Sequence, residues 1–466
     1  MTEESLERLK RSRLVRRLYR LPWLLAIYHY FLSFLAAWRY GFPSRRMTVI
    51  GVTGTKGKTS TANLLAHILN AAGHKTGLAT TVNFAIGDRE WTNETKQTML
   101  GRLALQKLLR EMADAGCRYA IVETSSEGIA QFRHRFIRYA MVVFTNISPE
   151  HIERHGSFEN YRAAKVALFE HASRNRKSIG IYNLDDRNVE FFLEPDIKHR
   201  VGFSVRDHGR AAALAEKYHL EANHEVSHVA LTIRETMFQF DEEEIETALI
   251  GEFNVYNVAA AMSAALALGV PSVRLKDFVR RVRSVPGRCE VVNAGQPFTV
   301  IVDYAHEPAS LTAIYETVKL FKPHNIIGLL GAQGGGRDVW KRAEMGKIAA
   351  RNCDVIVLAN EDPYDEDPMA ILNDIESGIR EVSKDFRPVY KIIDRRAAIR
   401  QAMLLAKKGD AVVLTGKGGE VWMCVENGRK IAWNERAVVE DILSAEKEKF
   451  VVRSGRNMLY QEQGRI

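Results

Sequence analysis

GVTGTKGKTST, residues 51–61, sits between a β-rich run at residues 47–52 (MTVIGV) and residues 59–72, whose apolar positions recur at helical spacing and end at Gly73, a C-cap. A glycine loop between a strand and a helix lets backbone N–H groups approach phosphate oxygens. The helix N-terminus adds positive potential there. Lys58 can reach the outer phosphates of a nucleotide, and the Thr59 hydroxyl can hold Mg²⁺. The usual phosphate loop ends in G-K-[ST], as Gly57-Lys58-Thr59 does, but five residues instead of four separate Gly51 from Gly57. The bland alternative is a glycine turn with a surface lysine, and the flanking strand and helix argue against it. The reading predicts an ATP cradle of Gly54, Thr55, Lys56, Gly57, Lys58, Thr59 and Ser60.

The pattern continues outward from this loop. Residues 75–81 suit a strand, 103–115 a helix, 119–122 a buried strand ending at Glu123, and 141–144 another ending at Thr145-Asn146. Alternating strands and helices imply a parallel sheet covered on both faces, with ligands at the carboxyl ends of its strands. Residues 185–246 are charged and weakly periodic, and we expect a more antiparallel region there. Residues 251–268 read as a helix, and Val285-Pro-Gly as a break. Beyond it, residues 298–302, 326–330, 355–358 and 411–414 read as strands with helices between. The fold class expected is α/β: a central ATPase domain with a mostly parallel sheet, then a Rossmann-like α/β domain, preceded by a short helical segment. The expected domains are 1–46, 47–285 and 286–466.

The 466 residues suit two or three domains, and 46% hydrophobic with 26% charged residues is ordinary for a folded protein. Four scattered cysteines suggest neither a disulfide framework nor a zinc site, which fits a reducing cytoplasm. Of the net charge of +9, residues 1–46 carry +7, so a nucleic-acid role for the whole chain is not implied. Within that segment, residues 21–40 (LPWLLAIYHYFLSFLAAWRY) are almost all apolar or aromatic. A signal peptide has a shorter apolar part and ends at small residues. Three readings stand: a helical hairpin packed on the protein's own body, a membrane-surface helix with a basic flank, or a membrane span.

The stretched loop resembles the ATP loop of the Mur ligases, which build the peptide stem of bacterial peptidoglycan. Further blocks match the family's in order: Glu123-Thr-Ser-Ser-Glu-Gly, Thr145-Asn-Ile-Ser-Pro-Glu-His-Ile-Glu-Arg-His-Gly, Tyr161-Arg-Ala-Ala-Lys165, Gly251-Glu-Phe-Asn-Val-Tyr-Asn257, Val285-Pro-Gly-Arg288-Cys-Glu290, Asp303-Tyr-Ala-His306 and Gly416-Lys-Gly-Gly-Glu420. The resemblance runs from about residue 47 to the C-terminus. The last three blocks are most similar to the members that add the third stem residue.

The resemblance implies ATP-driven amide formation through an acyl phosphate, in the cytoplasm or at the inner face of a membrane. ATP and Mg²⁺ would be its cofactors, and a muramyl peptide and an amino acid its partners. Several negative groups must be brought together, so metal and cationic groups should supply most of the stabilisation. Lys58, Glu123, His151 and Lys165 are the implied catalytic set, and Thr59, Glu123, His151 and Lys165 the implied metal set. Mg²⁺ prefers oxygen ligands, so the histidine rests on the resemblance alone. His151 otherwise reads as a helix-surface imidazole, and Glu123 as a strand-end carboxylate. Lys165 lies on an apolar helix face (YRAAKVALF), where a bare charge is costly. By resemblance CO₂ carbamylates it; the residues alone would say a snorkelling lysine. Asn254 is implied to contact adenine, Arg288 the phosphates, and Asp303 and His306 the nucleotide, Asp303 near the ribose. Asn146, Glu361, Asp362, Pro363, Tyr364, Gly416 and Glu420 are the implied substrate residues. Gly331-Ala-Gln-Gly-Gly-Gly-Arg337-Asp338 takes the place of the family's glycine-rich segment.

Three departures matter. Only 46 residues precede the core, too few for the family's UDP-binding domain; the basic, aromatic segment suggests a membrane surface and a lipid-linked or other non-UDP acceptor instead. The diaminopimelate-selecting D-N-P-R segment is Glu361-Asp-Pro-Tyr364 here. Without the arginine fork that would hold a distal carboxylate, lysine, another diamine or a different amino acid is favoured. Glu127 and Gly419 stand where the family has histidines. Two other readings remain: a related acyl-phosphate ligase of the folylpolyglutamate or cyanophycin type, and a membrane-associated P-loop ATPase switch.

Overall fold

The computed structural model describes residues 22–446 and residue 449, apart from residues 96, 151, 233–234, 283, 337 and 383–387. It divides into two compact units. One holds residues up to Val226 with Tyr256–Phe278, the other Ser227–Val255 with residues from Val279 onward.

The first unit begins with α1 (Pro22–Arg39). Next come β1 (Thr48–Thr53), α2 (Lys58–Ala71), β2 (Thr76–Ala79), β3 (Asn83–Ile86), β4 (Arg89–Thr92), α3 (Arg102–Asp114), β5 (Tyr119–Glu123), α4 (Ser126–Ala130) and β6 (Tyr139–Phe144). Then follow α5 (Phe158–Ala172), β7 (Ile179–Asn183), α6 (Val189–Leu193), β8 (His199–Ser204), α7 (His208–Lys217) and the start of β9 (Ala222–Leu231). β1 lies between β5 and β6 and is parallel to both, with Gly51 beside Val122 and Val142. This central strand is buried from Val49 to Thr53, as expected of a strand covered on both faces. The carboxyl ends of β1, β5 and β6 therefore deliver the phosphate loop, Glu123 and Thr145-Asn146 side by side.

The expectation of an antiparallel region at residues 185–246 holds for its second half and not for its first. β7, β8 and the start of β9 are parallel, joined through α6 and α7. Beyond it β10 (Thr236–Phe240) lies next to β9 in the sheet, and β10 and β11 (Glu243–Thr247) pair antiparallel as a hairpin. The charges that obscured the pattern lie largely in the loops and strands around these two short helices. α6 buries Val189, Phe192 and Leu193, while α7 buries only Ala211 and Leu214. Five and ten residues give too few turns for a helical period to stand out.

Two further helices follow, α8 (Glu252–Ala267) and α9 (Ser272–Arg280). In the second unit the strands are β12 (Glu290–Val292), β13 (Thr299–Val302), β14 (Ile326–Leu330), β15 (Val355–Leu358), β16 (Val389–Lys391) and β17 (Ala411–Leu414), in the order β12-β13-β17-β14-β15-β16. All neighbours are parallel except β12 with β13. Every residue of β14 and β17 is buried, and apolar clusters cover both faces of the sheet. Its helices are α10 (Pro308–Lys319), α11 (Trp340–Asn352), α12 (Pro368–Val382), α13 (Arg395–Leu405) and α14 (Glu435–Ala445). α11 and α12 meet at glycines: a Cβ on Gly378 would stand 1.8 Å from the Ala343 carbonyl oxygen.

Candidate active site

The phosphate loop leaves β1 at Thr53 and enters α2 through Gly57, whose φ of 80° puts it in the left-handed region. A side chain at Gly57 would collide with Asn257 Oδ1 at 2.2 Å, and one at Gly54 with Thr145 Oγ1 at 2.0 Å. The loop is tied to the segment after β6. Thr145 Oγ1 donates to the Lys56 carbonyl at 2.7 Å. Asn146 accepts from Lys56 N at 2.9 Å and donates to the same carbonyl at 3.1 Å. So Asn146, expected at the substrate, shapes the nucleotide loop. Lys58 Nζ donates to the Thr55 carbonyl at 2.8 Å, and Lys56 pairs with Glu150 at 3.1 Å. Ser60 is buried in the first turn of α2.

Thr59 and Glu123 meet as expected: the hydroxyl donates to the carboxylate at 2.9 Å. The same carboxylate oxygen accepts from Thr81 N at 2.8 Å. Two oxygen donors at the loop's mouth suit a hard cation such as Mg²⁺. His151, expected as a further ligand, lies outside the described residues, as does Arg337.

Lys165, on α5, is 1% exposed, so the snorkelling alternative does not hold. Its Nζ lies 2.6 Å from the Gly54 carbonyl oxygen and 4.7 Å from the centre of the Tyr161 ring. Burial holds its pKa well below the lysine range. The charge of Lys58 pushes the same way, while Glu150 and Glu123 oppose.

In the second unit the expected residues gather at the carboxyl ends of β13, β14, β15 and β17. Asp303 accepts from Cys289 N at 2.6 Å and Ala305 N at 2.7 Å, which fixes the turn after β13. Arg288 stacks its guanidinium over the Tyr304 ring at 4.4 Å. His306 Nδ1 lies 2.8 Å from the Tyr304 carbonyl. Asn254 donates to the Ile250 carbonyl one turn back at 2.9 Å.

Lys417 is fully buried, 3.0 Å from Asp362 and 2.5 Å from Glu420. Asp362 also accepts from Cys424 N at 2.7 Å, and Glu420 from the Tyr304 hydroxyl at 3.3 Å. Glu361 is different. Both of its carboxylate oxygens are buried with no hydrogen-bond partner among the described residues. A Cβ on Gly416 would stand 2.5 Å from Oε2, and one on Gly331 3.3 Å from the Glu361 Cβ. Burial pushes the carboxyl up to about 7. Tyr364 has a φ of 52°, unusual for a bulky residue, and its ring lies over Gly335. The Pro363 carbonyl leaves no room for a side chain at Gly334. Glu127, in a histidine's place, pairs with Arg154, and Gly419 abuts Gly287.

Sequence reasoning quoted Asn257 without giving it a role and missed Arg395. Asn257 packs on Gly57 and accepts from Thr61 at 3.4 Å. Arg395 donates to the carbonyls of Asn360 and Thr415 at 3.0 and 2.7 Å, bracing the loops that carry Glu361 and Gly416.

Residues 52–265 match the family described as Mur ligase middle domain, and residues 287–418 match Mur ligase, glutamate ligase domain. The chain belongs to the Mur ligase family. It is 38% identical over 416 residues to the UDP-N-acetylmuramyl-tripeptide synthetase of Roseiflexus sp. (strain RS-1), covering 86% of this chain and 80% of that one. It is 35% identical to the UDP-N-acetylmuramoyl-L-alanyl-D-glutamate--2,6-diaminopimelate ligase of Geobacillus kaustophilus (strain HTA426), covering 87% and 81%. A solved structure of a ligase with that same name superposes with a TM-score of 0.58 at 28% identity, covering 86% of this chain and 79% of that one. This Mur ligase is thus an ATP-dependent, ADP-forming enzyme of peptidoglycan precursor synthesis.

Proposed function

We propose that this Mur ligase adds the third stem residue to a muramyl-peptide carboxylate in the cytoplasm. The acceptor carboxylate attacks the γ-phosphorus of ATP, ADP leaves, and an acyl phosphate forms. The amine of the incoming amino acid, having given up a proton, attacks the acyl carbon. Inorganic phosphate leaves as the amide bond forms. Lys58 and the backbone from Gly54 to Ser60 hold the phosphates, which puts cationic stabilisation where charge develops. Thr59 and Glu123, with His151, would hold Mg²⁺, whose contribution is to neutralise phosphate charge.

Lys165 carries the reading. Burial makes this lysine give up its ammonium proton more readily, and the free amine attacks the carbon of CO₂ and sheds a second proton to give the carbamate. Asn254, Arg288, Asp303 and His306 are further nucleotide contacts by resemblance to the family. Glu361, Asp362, Pro363, Tyr364, Gly416 and Glu420 form the substrate set, while Asn146 shapes the nucleotide loop. Tyr364 offers no fork for a distal carboxylate, and the acidic groups suit an ammonium, so the added residue is lysine or another diamine in preference to diaminopimelate. Residues 1–46 bring the enzyme to the inner face of the membrane.

Phosphate release, screened over amino acids and diamines with muramyl-dipeptide acceptors with and without UDP, tests the proposal. Release that depends on lysine or another diamine is expected. Release without any amino-acid dependence would sink it.

A further inference from the structure

α1 has two faces with different chemistry. Ser33, Ala36 and Ala37 are buried against the body of the first unit. Ser33 Oγ donates to the Phe132 carbonyl at 2.9 Å, and Arg102 reaches His29 Nδ1 at 2.5 Å and the Gln131 carbonyl at 2.7 Å. This face is bound to the protein.

The other face is not. Trp23, Ile27, Phe31 and Trp38 are 60%, 59%, 56% and 64% exposed. At 100° per residue these four fall within an arc of about 80°, with Phe34 between them. Other large apolar residues of the described chain are exposed mainly one at a time along the sequence. The helix has no acidic residue, and cations flank it. Arg39 is exposed in its last turn and Arg45 just after it, and Arg45 sits 4.6 Å over the Phe42 ring. Seven Lys/Arg against three Glu precede it in residues 1–20.

We propose that this face of α1 lies in the plane of an anionic lipid surface, the tryptophans at headgroup depth and the arginines on lipid phosphates. The inference deepens the membrane contact stated above, but it rests on the helix and not on the ligation chemistry. Charge selects the occupant. A second copy would bring the same cationic rim against itself, and residues 1–20 are cationic too. Anionic headgroups complement the rim, and buried tryptophans with basic flanks are the chemistry of interfacial helices. Spanning is disfavoured. Eighteen residues make about 27 Å of helix against a hydrocarbon core of about 30 Å, and one face is already hydrogen-bonded to the body. No helix among the described residues is long and apolar enough to cross a membrane.

Flotation of the full chain tests this, with vesicles of mixed phosphatidylglycerol and phosphatidylcholine and with phosphatidylcholine alone. The chain should float with the mixed vesicles, less so as salt rises. Trp23→Glu with Trp38→Glu should lower partitioning more than about 10-fold while leaving the melting temperature and lipid-free ligase turnover unchanged. A parent chain that stays at the bottom with both vesicles overturns the proposal, as does a variant that floats like its parent. Equal flotation with neutral vesicles overturns the anionic surface. A concentration-dependent dimer that this double substitution abolishes, without vesicle binding, would assign the face to a second copy. Loss of turnover in solution bears on the ligase reading alone.

Discussion

Lys165 Nζ donates to the carbonyl oxygen of Gly54 across 2.6 Å, so a buried amine touches the first turn of the nucleotide loop. Burial holds the pKa of the same amine well below the lysine range. Lys165→Met removes the group that CO₂ would modify while keeping most of its volume. Turnover should fall about 100-fold or more, as when one charge-stabilising group is removed from an active site. The melting temperature should stay level or rise, since a buried amine beside Lys58 is lost. The native chain in ¹³C-bicarbonate should show a carbamate resonance by NMR that the variant lacks. A resonance of equal intensity in both would move the modification elsewhere.

Gly57→Ala forces a left-handed backbone on alanine and drives its Cβ into Asn257. We expect a stability loss of about 1–3 kcal/mol and a weaker ATP complex. Adding Asn257→Ala should relieve the collision but not the backbone strain. Calorimetric melting and nucleotide titration separate the two contributions.

Glu361 gives a pH signature. Its carboxyl is pushed from an ordinary 4.5 up to about 7 by burial. Between those values the unfolded chain releases this proton while the folded chain keeps it. Stability from this group therefore falls as pH rises from about 4.5 to about 7, by at most about 3 kcal/mol, and is level above. Glu361→Gln should remove that fall, so urea unfolding at pH 5 and pH 8 should show the variant gaining on its parent at the higher pH. An unchanged pH difference would place the cause outside Glu361.

Arg395 and Glu435 form an ion pair with both side chains fully buried. Arg395→Met leaves the carboxylate without its countercharge and should cost about 3–5 kcal/mol. Arg395→Met with Glu435→Leu should recover most of this in denaturant unfolding. The double variant should still show a raised KM for the amino acid, because the carbonyls of Asn360 and Thr415 lose their brace.

Much of this was legible in the sequence because it is local. Residues 326–330 and 411–414 announce buried strands by apolar runs, and the loop at residues 51–61 announces itself by its glycines. The pairing of Thr59 with Glu123 follows from parallel neighbours ending level. What escaped was short or distant. α6 and α7 were too brief to show a period. Arg395 finds Glu435 forty positions away, and no local pattern marks such a partnership. The left-handed backbone of Tyr364 runs against its side chain's own preference, so no propensity argument reaches it. That Glu361 has no hydrogen-bond partner among the described residues depends on Gly331 and Gly416, distant in sequence, closing on it.

That closure also sets an order on change. Gly331 and Gly416 flank the Glu361 side chain, and each lacks room for one added carbon. A smaller residue at position 361 would relieve the collision of an alanine at Gly416 with the carboxylate, but not the strain of its φ of 105°. A lineage altering this pocket thus has an accessible first step at Glu361, while both glycines stay closed to larger residues, Gly416 by its backbone and Gly331 by the Ala359 carbonyl at 2.3 Å.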